Sequence, residues 1–221
     1  MSKRKEVNTR FLSPVLFIVG SALALAGGCA WVGNHAWPKP RATAPPEGQA
    51  VVETVNNPDE TPVAETTLKN YTVPAQQPRS LEIARLGIQA LVQKVGRTSN
   101  NEVAVPSNVS FAGWYTGSVA PGEKGLSIID GHVSGHTTGG VFQRLSELRP
   151  SDTITVEFGD RTVKHFSVIK VTSVPLADAS RMLFAKMQGV SSQLNLITCS
   201  GTYQQSIKTF THRLIVVANK I

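Results

Sequence analysis

From Leu81 onward, short runs rich in Val, Ile, Leu and Phe recur, each bounded by Gly, Pro, Asn or Asp. This pattern constrains the fold more than any other feature of the chain. It predicts strands at Leu81–Ile83, Ala90–Val95, Gly125–Ile129, Thr153–Phe158, Thr162–Val174, Leu194–Thr198 and Thr211–Ala218. Thr153–Phe158 reads TITVEF, the alternation of a half-buried strand. Gly159-Asp160 then turns the chain, so 153–171 reads as a hairpin. Asp178–Met187 carries Leu183, Phe184 and Met187 at helical spacing and reads as a short helix. Many short strands with brief helices make the fold class all-β, either a closed barrel or a sandwich.

A different signal occupies the start of the chain. Phe11 to Gly33 contains no charged residue. As a helix, at about 1.5 Å per residue, it reaches roughly 34 Å. That spans a hydrocarbon core of about 30 Å. Lys3, Arg4, Lys5 and Arg10 precede it, and no comparable cluster follows closely. The expectation is a cytoplasmic basic N-terminus (1–10), a transmembrane signal-anchor (11–33) and everything beyond it exported into the cell exterior. Two alternatives stay open, a cleaved signal peptide and lipidation of Cys29 after Ala26-Gly27-Gly28. Residues 34–77 hold many of the 13 prolines among Thr, Ala, Glu and Gln, with no sustained apolar period. They read as a disordered, Pro-rich extracellular spacer. Residues 78–221 are then the folded catalytic or binding domain.

Composition narrows the function. The net charge of +7 is shared between the N-terminal cluster and a dispersed domain surface. No dense basic run with interleaved aromatics exists, so nucleic acid is not an expected partner. Two cysteines are too few for a disulfide scaffold or a structural zinc cluster.

Three residues stand out chemically. Cys199 ends the apolar run Leu194–Thr198 and lacks a disulfide partner within the domain, although a buried, inert thiol would read the same way. His132 follows Ile128-Ile129-Asp130-Gly131, just past a strand, where Gly131 would permit a sharp turn. His136 lies four residues on, in Gly-rich sequence. The two histidines have no third ligand nearby, so no metal is expected. His35, His165 and His212 read as structural. Arg213 opens the terminal run; an antiparallel pair of strands would bring it to the same end as Cys199. A surface arginine at a strand edge would satisfy the same spacing.

In combination these stretches resemble the sortase family of cysteine transpeptidases, over roughly residues 78–221. Val105-Pro106 through Gly113-Trp114-Tyr115, and then Pro121 to Gly125, are similar to the family's approach to its histidine strand. Gly131-His132 matches the histidine motif. Gly140-Val141-Phe142-Gln143-Arg144-Leu145, Leu148-Arg149-Pro150 and Asp152 follow it. Leu196-Ile197-Thr198-Cys199 with Arg213 matches the cysteine and arginine motifs.

The resemblance implies an eight-stranded sortase β-barrel. It also implies an LPxTG-like sorting signal cleaved between Thr and Gly, with Cys199 as nucleophile through a thioacyl intermediate. His132 becomes the acid–base group, and Arg213 the substrate and oxyanion contact. Thr198 is a candidate second oxyanion donor. Leu176, Met182, Leu183 and Phe184 are candidate contacts for the Leu-Pro part of the signal, unless they simply pack on the barrel. The implied partners are secreted proteins bearing sorting signals, a peptidoglycan precursor or other amine acceptor, and the cytoplasmic membrane. No cofactor is expected. The spacer lacks an Asp-Pro-Phe or Asp-Pro-Trp lid motif, and no second apolar span follows the domain. Both features favour a cell-wall-anchoring enzyme of the broad class E and F group over a pilin polymerase. Two readings of other kinds remain: a catalytically inactive tethered binding module, and a secreted cysteine peptidase that only hydrolyses.

Overall fold

The computed structural model describes residues 57–98 and 102–221. The basic N-terminus, the apolar segment 11–33 and the first part of the spacer lie outside the described residues. Among the described residues no helix is long and apolar enough to cross a membrane.

Alternate residues of eight strands line one interior. The strands are β1 (Pro78–Ile83), β2 (Ile88–Val95), β3 (Ala112–Tyr115), β4 (Gly125–Gly131), β5 (Thr153–Phe158), β6 (Val163–Pro175), β7 (Ser192–Gln204) and β8 (Thr209–Lys220). They close into a barrel in the order β1-β2-β3-β4-β7-β8-β6-β5, and β5 returns to β1. β2 with β3 and β4 with β7 pair in parallel; the other neighbours are antiparallel. All eight strands contribute to the interior, with Leu81, Val92, Ala112, Ile129, Ile154, Phe166, Leu196 and Val216 among its residues. Each fully buried Leu, Ile, Val or Phe contributes about 1.5–3 kcal/mol relative to an exposed one.

A second apolar layer covers the outer face of β4, β7 and β8. Ile128, Ile197 and Ile215 point outward there and meet Val174, Ala179 and Leu183. Ala179 and Leu183 belong to α2 (Leu176–Leu183), which begins directly after β6 with Pro175 at its N-cap. The sequence places this helix later, over 178–187. It ends at Leu183 because buried amides on β7 capture the backbone beyond it. Asn195 Nδ2 donates to the Leu183 carbonyl at 2.7 Å. Gln193 donates to the Ala185 carbonyl at 3.0 Å and accepts from the Met187 N–H at 2.8 Å.

Three further differences from the sequence reading have physical causes. β3 does not appear among the expected strands. It is four residues long, and Gly113 is fixed by close approach to Val95 (a Cβ at Gly113 would lie 2.8 Å from Val95 Cγ1) and not by strand propensity. β7 runs past Cys199 to Gln204 instead of opening into a loop there; Tyr203 stacks edge-on against Phe210 of β8 with ring centroids 5.4 Å apart. The polar residues of this extension mask it as a loop.

The third difference concerns residues 57–77, read as spacer. They are docked on the barrel. The short helix α1 (Glu65–Asn70) leads to Tyr71, whose hydroxyl donates to the Val92 carbonyl of β2 at 2.8 Å. Arg79 of β1, 7% exposed, donates to the Tyr71 and Leu68 carbonyls at 2.8 Å each and pairs with Glu157 of β5 at 3.3 Å. A buried guanidinium needs such partners, and the apparent spacer supplies two of them.

Candidate active site

Strand pairing assembles the candidate residues. β7 and β8 form an antiparallel pair in which Cys199 stands directly opposite Arg213. On the other side of β7, β4 runs parallel to it with Asp130 opposite Ile197. The Thr198 hydroxyl donates to the Gly131 carbonyl at 2.7 Å. This bond ties the end of β4 to the strand position next to Cys199. His132 follows immediately, so Cys199 on β7 has Arg213 of the neighbouring β8 on one side and the end of β4, which leads into His132, on the other.

Alternation sets which side chains share the site. On β7, Leu194 and Leu196 face the interior while Ile197 faces outward. Cys199 follows Ile197 by two residues and faces outward as well. Thr198 faces the other way. It is 2% exposed and its hydroxyl proton is committed to Gly131. Thr198 is therefore a clasp between β7 and β4: the hydroxyl of this candidate oxyanion donor gives its proton to the Gly131 carbonyl. On β4, Ile129 faces inward and Ile128 outward. Asp130 therefore shares the outer face with Cys199. No sequence argument had selected Asp130, though an acid at that register within an apolar strand was a visible anomaly.

Gly131 is a glycine for a reason of space. A Cβ there would lie 2.5 Å from the Phe142 ring and 2.7 Å from Val141. Its φ is not positive, so the sharp-turn argument from the sequence is replaced by one of close approach. Phe142 is fully buried, and its N–H donates to the His132 carbonyl at 2.9 Å. The His132 ring is half-buried, with Nε2 2.7 Å from the Pro106 carbonyl. That contact requires the proton on Nε2 and leaves Nδ1 as the other functional atom.

The charges follow from burial. Burial pushes the Cys199 thiol up to about 11; Arg213 opposes the rise, while Asp130 and Glu102 add to it. Burial pushes the His132 imidazole below its ordinary value, opposed by the bond to Pro106. Both are neutral near pH 7, so the resting site holds a thiol and an imidazole, not an ion pair. Burial also lifts the Asp130 carboxyl to about 8, opposed by the Gly131 N–H and by Arg213. The Arg213 guanidinium donates to the Phe210 and His212 carbonyls and to the Thr209 hydroxyl, at 3.1, 3.0 and 3.1 Å. These partners hold it on its own strand while its charge acts on Cys199.

The remaining candidates divide. Leu183 is 4% exposed and Met182 packs on the same outer layer, so these two hold α2 to the barrel. Leu176 is half-buried at the start of α2. Phe184 is 40% exposed, meets Tyr115 edge-on at 6.2 Å and lies under the Arg97 guanidinium. His136 is exposed on the loop after His132. His165 and His212 lie on β6 and β8. Among the described residues no group of three or more His, Cys, Asp or Glu side chains could hold a metal ion.

Comparison with known proteins adds a family. Residues 81–221 match the model of the sortase domain family. No curated protein matches the chain. Among solved structures, sortase A from Corynebacterium diphtheriae is similar with a TM-score of 0.50 at 17% identity, covering 77% of this chain and 77% of that one. Its lid mutant gives 0.49 at 21% identity, covering 67% and 73%. Sortase C-1 from Actinomyces oris gives 0.49 at 19%, covering 75% and 90%. At these identities the likeness is one of fold.

Proposed function

The chain belongs to the sortase family and is a sortase-type cysteine transpeptidase; on that premise we propose that it cleaves an LPxTG-like sorting signal between Thr and Gly and joins the Thr carbonyl to an amine of the cell wall. The thiolate of Cys199 attacks the Thr carbonyl carbon, forming the C–S bond. His132 gives its proton to the Gly nitrogen as the C–N bond breaks, which leaves a thioacyl enzyme. The incoming amine then loses a proton to His132 and attacks the thioester, and the sulfur departs as thiolate. Arg213 balances the negative charge on sulfur and on the carbonyl oxygen. The carrying observation is Cys199 opposite Arg213 in register, with His132 directly after the end of the neighbouring β4, which the Thr198–Gly131 bond ties to β7.

Since thiol and imidazole are both neutral at rest, transfer of the Cys199 proton to His132 is the step that bound peptide has to favour. A polar peptide displaced into the site replaces water around a developing ion pair, and the fixed Arg213 charge favours the thiolate side. The charge-free segment 11–33 behind a basic cluster supports a single-pass membrane location, N-terminus inside and catalytic domain outside. The partners are then sorting-signal-bearing secreted proteins and a peptidoglycan precursor or similar amine. The exposed Phe184 supports contact with the apolar part of the signal.

The full chain in detergent, incubated with pentapeptide signals and with oligoglycine or diamino acid acceptors, tests this reading. The expected result is a peptide thioester on Cys199 by mass spectrometry, followed by ligated product. Cys199→Ala should show neither, and His132→Ala should lose at least about 10²-fold. Hydrolysis without any ligated amine would make the protein a peptidase; no adduct with any peptide would make it a binding module.

A further inference from the structure

The loop after His132 is anchored by a segment that precedes the barrel. Asp59 pairs in parallel with Asn108. Its N–H donates to the Ser107 carbonyl at 2.8 Å, and its carbonyl accepts from the Val109 N–H at 2.9 Å. Asn108 Nδ2 donates to the Thr61 carbonyl at 3.0 Å. Residues 59–61 thus lie along the strip that presents Pro106, whose carbonyl holds the His132 ring.

The next residue reaches the loop that follows the same histidine. The Glu60 carboxylate accepts from the His136 N–H, from the Thr137 hydroxyl, and from the Thr137 N–H at 3.1–3.2 Å. Gly135 makes room for it, since any side chain there would collide with the Glu60 carboxylate. The loop is closed on itself by Gly135 N–H to Thr138 O at 2.8 Å and Gly140 N–H to Val133 O at 3.0 Å, so a grip on its tip is passed to its base at His132. Residues 59–61 therefore hold both the strip that carries Pro106 and the loop that follows His132. The Thr137 hydroxyl, ahead of the two backbone N–H groups, keeps the Glu60 carboxyl below its ordinary value, so the grip is charged at neutral pH.

We propose that Glu60 is a positioning residue for His132, clamping the 133–139 loop to the strip that carries Pro106 so that the imidazole is held at the sulfur. This rests on His132 being the acid–base group. An imidazole displaced by about 1 Å can cost up to 10²-fold in rate without weakening substrate binding.

The test uses the full chain, the pentapeptide turned over fastest in the panel above, and ring ¹⁵N signals of His132, assigned by their loss in His132→Gln. Glu60→Ala should lower kcat about tenfold, leave KM within about twofold, and move the His132 ring signals. Glu60→Gln keeps an oxygen for the N–H donors and should restore most of the rate. Thr137→Ala should cost several-fold alone and add little in the Glu60→Ala background, because both changes break one contact. Wild-type kcat together with unmoved ring signals in Glu60→Ala overturns the proposal, as does full additivity with Thr137→Ala. Should Glu60→Ala fail to fold, Glu60→Gln and Thr137→Ala are read by the same ring signals. If His132→Gln is active, the acid–base assignment fails on its own, and the clamp is then judged by the ring signals alone.

Discussion

Gly131 has no room for a side chain. Its missing side chain lets Phe142 press against the end of β4, and the next residue is His132. Gly131→Ala has to displace either a fully buried ring or the start of the loop that carries His132, and overpacking of this kind costs about 1–3 kcal/mol. The expected result is a folded protein with a lower thermal midpoint and at least tenfold lower kcat/KM, checked by calorimetry and peptide turnover. Arg213 and Asp130 make separate electrostatic predictions. Arg213 lowers the Cys199 thiol pKa against burial, so Arg213→Ala should slow iodoacetamide alkylation of Cys199 at pH 8 and shift its alkaline rise upward. Asp130 has its folded pKa raised to about 8 from an ordinary 3.8. Its contribution to stability is complete below about pH 4 and is lost as the pH climbs through 8. Asp130→Asn removes that slope, so its thermal midpoint should gain on wild type between pH 5 and pH 9; an unchanged gap would sink the assignment. Cys199, His132 and Arg213 stand out as candidates because each sits at a recognisable motif. Asp130 was not, because its significance comes from which face of β4 it occupies beside β7, a tertiary relation.

Among the elements, the β7–α2 junction is held by polar groups where apolar packing would be expected. Asn195 is fully buried and shares the outer face of β7 with Ile197 and Cys199. Asn195→Ala leaves the Leu183 carbonyl without its donor and should cost about 1–3 kcal/mol in urea denaturation. Release of residues 184–190 should broaden peptide selectivity, read from the same pentapeptide panel. Seven of the eight strands were legible from apolar runs and turn residues, because burial on one or both faces dictates those patterns. β3 was not, since four residues around Gly113 carry no periodicity. The start of α2 was not either: Pro175 ends β6 and begins the helix at once, and only the capture of the chain by Gln193 and Asn195 decides where the helix stops.

For the molecule as a whole, the folded unit begins before β1. Deleting residues 57–77 strips Arg79 of two carbonyl acceptors and β2 of the Tyr71 hydroxyl. Partners lost by a buried charged group cost about 1–3 kcal/mol each. A chain starting at Pro78 should therefore melt well below one starting at Asn57, as circular dichroism would show, even though the matched family domain begins at residue 81. Composition alone marks 34–77 as one uniform tether. What distinguishes its second half is a handful of contacts, those made by Asp59, Glu60 and Tyr71 and those that Arg79 makes to it, which no average over Pro and Thr can reveal.

The ring of eight strands has a final consequence. As far as Ile197, β7 already has β4 on one flank and β8 on the other. Within that doubly paired stretch no vacant backbone is left for an incoming polypeptide to join as a ninth strand. A guest at that level has to lie across the outer wall and be read through side chains. Its preferences should then be divisible, so that exchanging a single wall residue retunes a single letter of the recognised motif and leaves the others as they were.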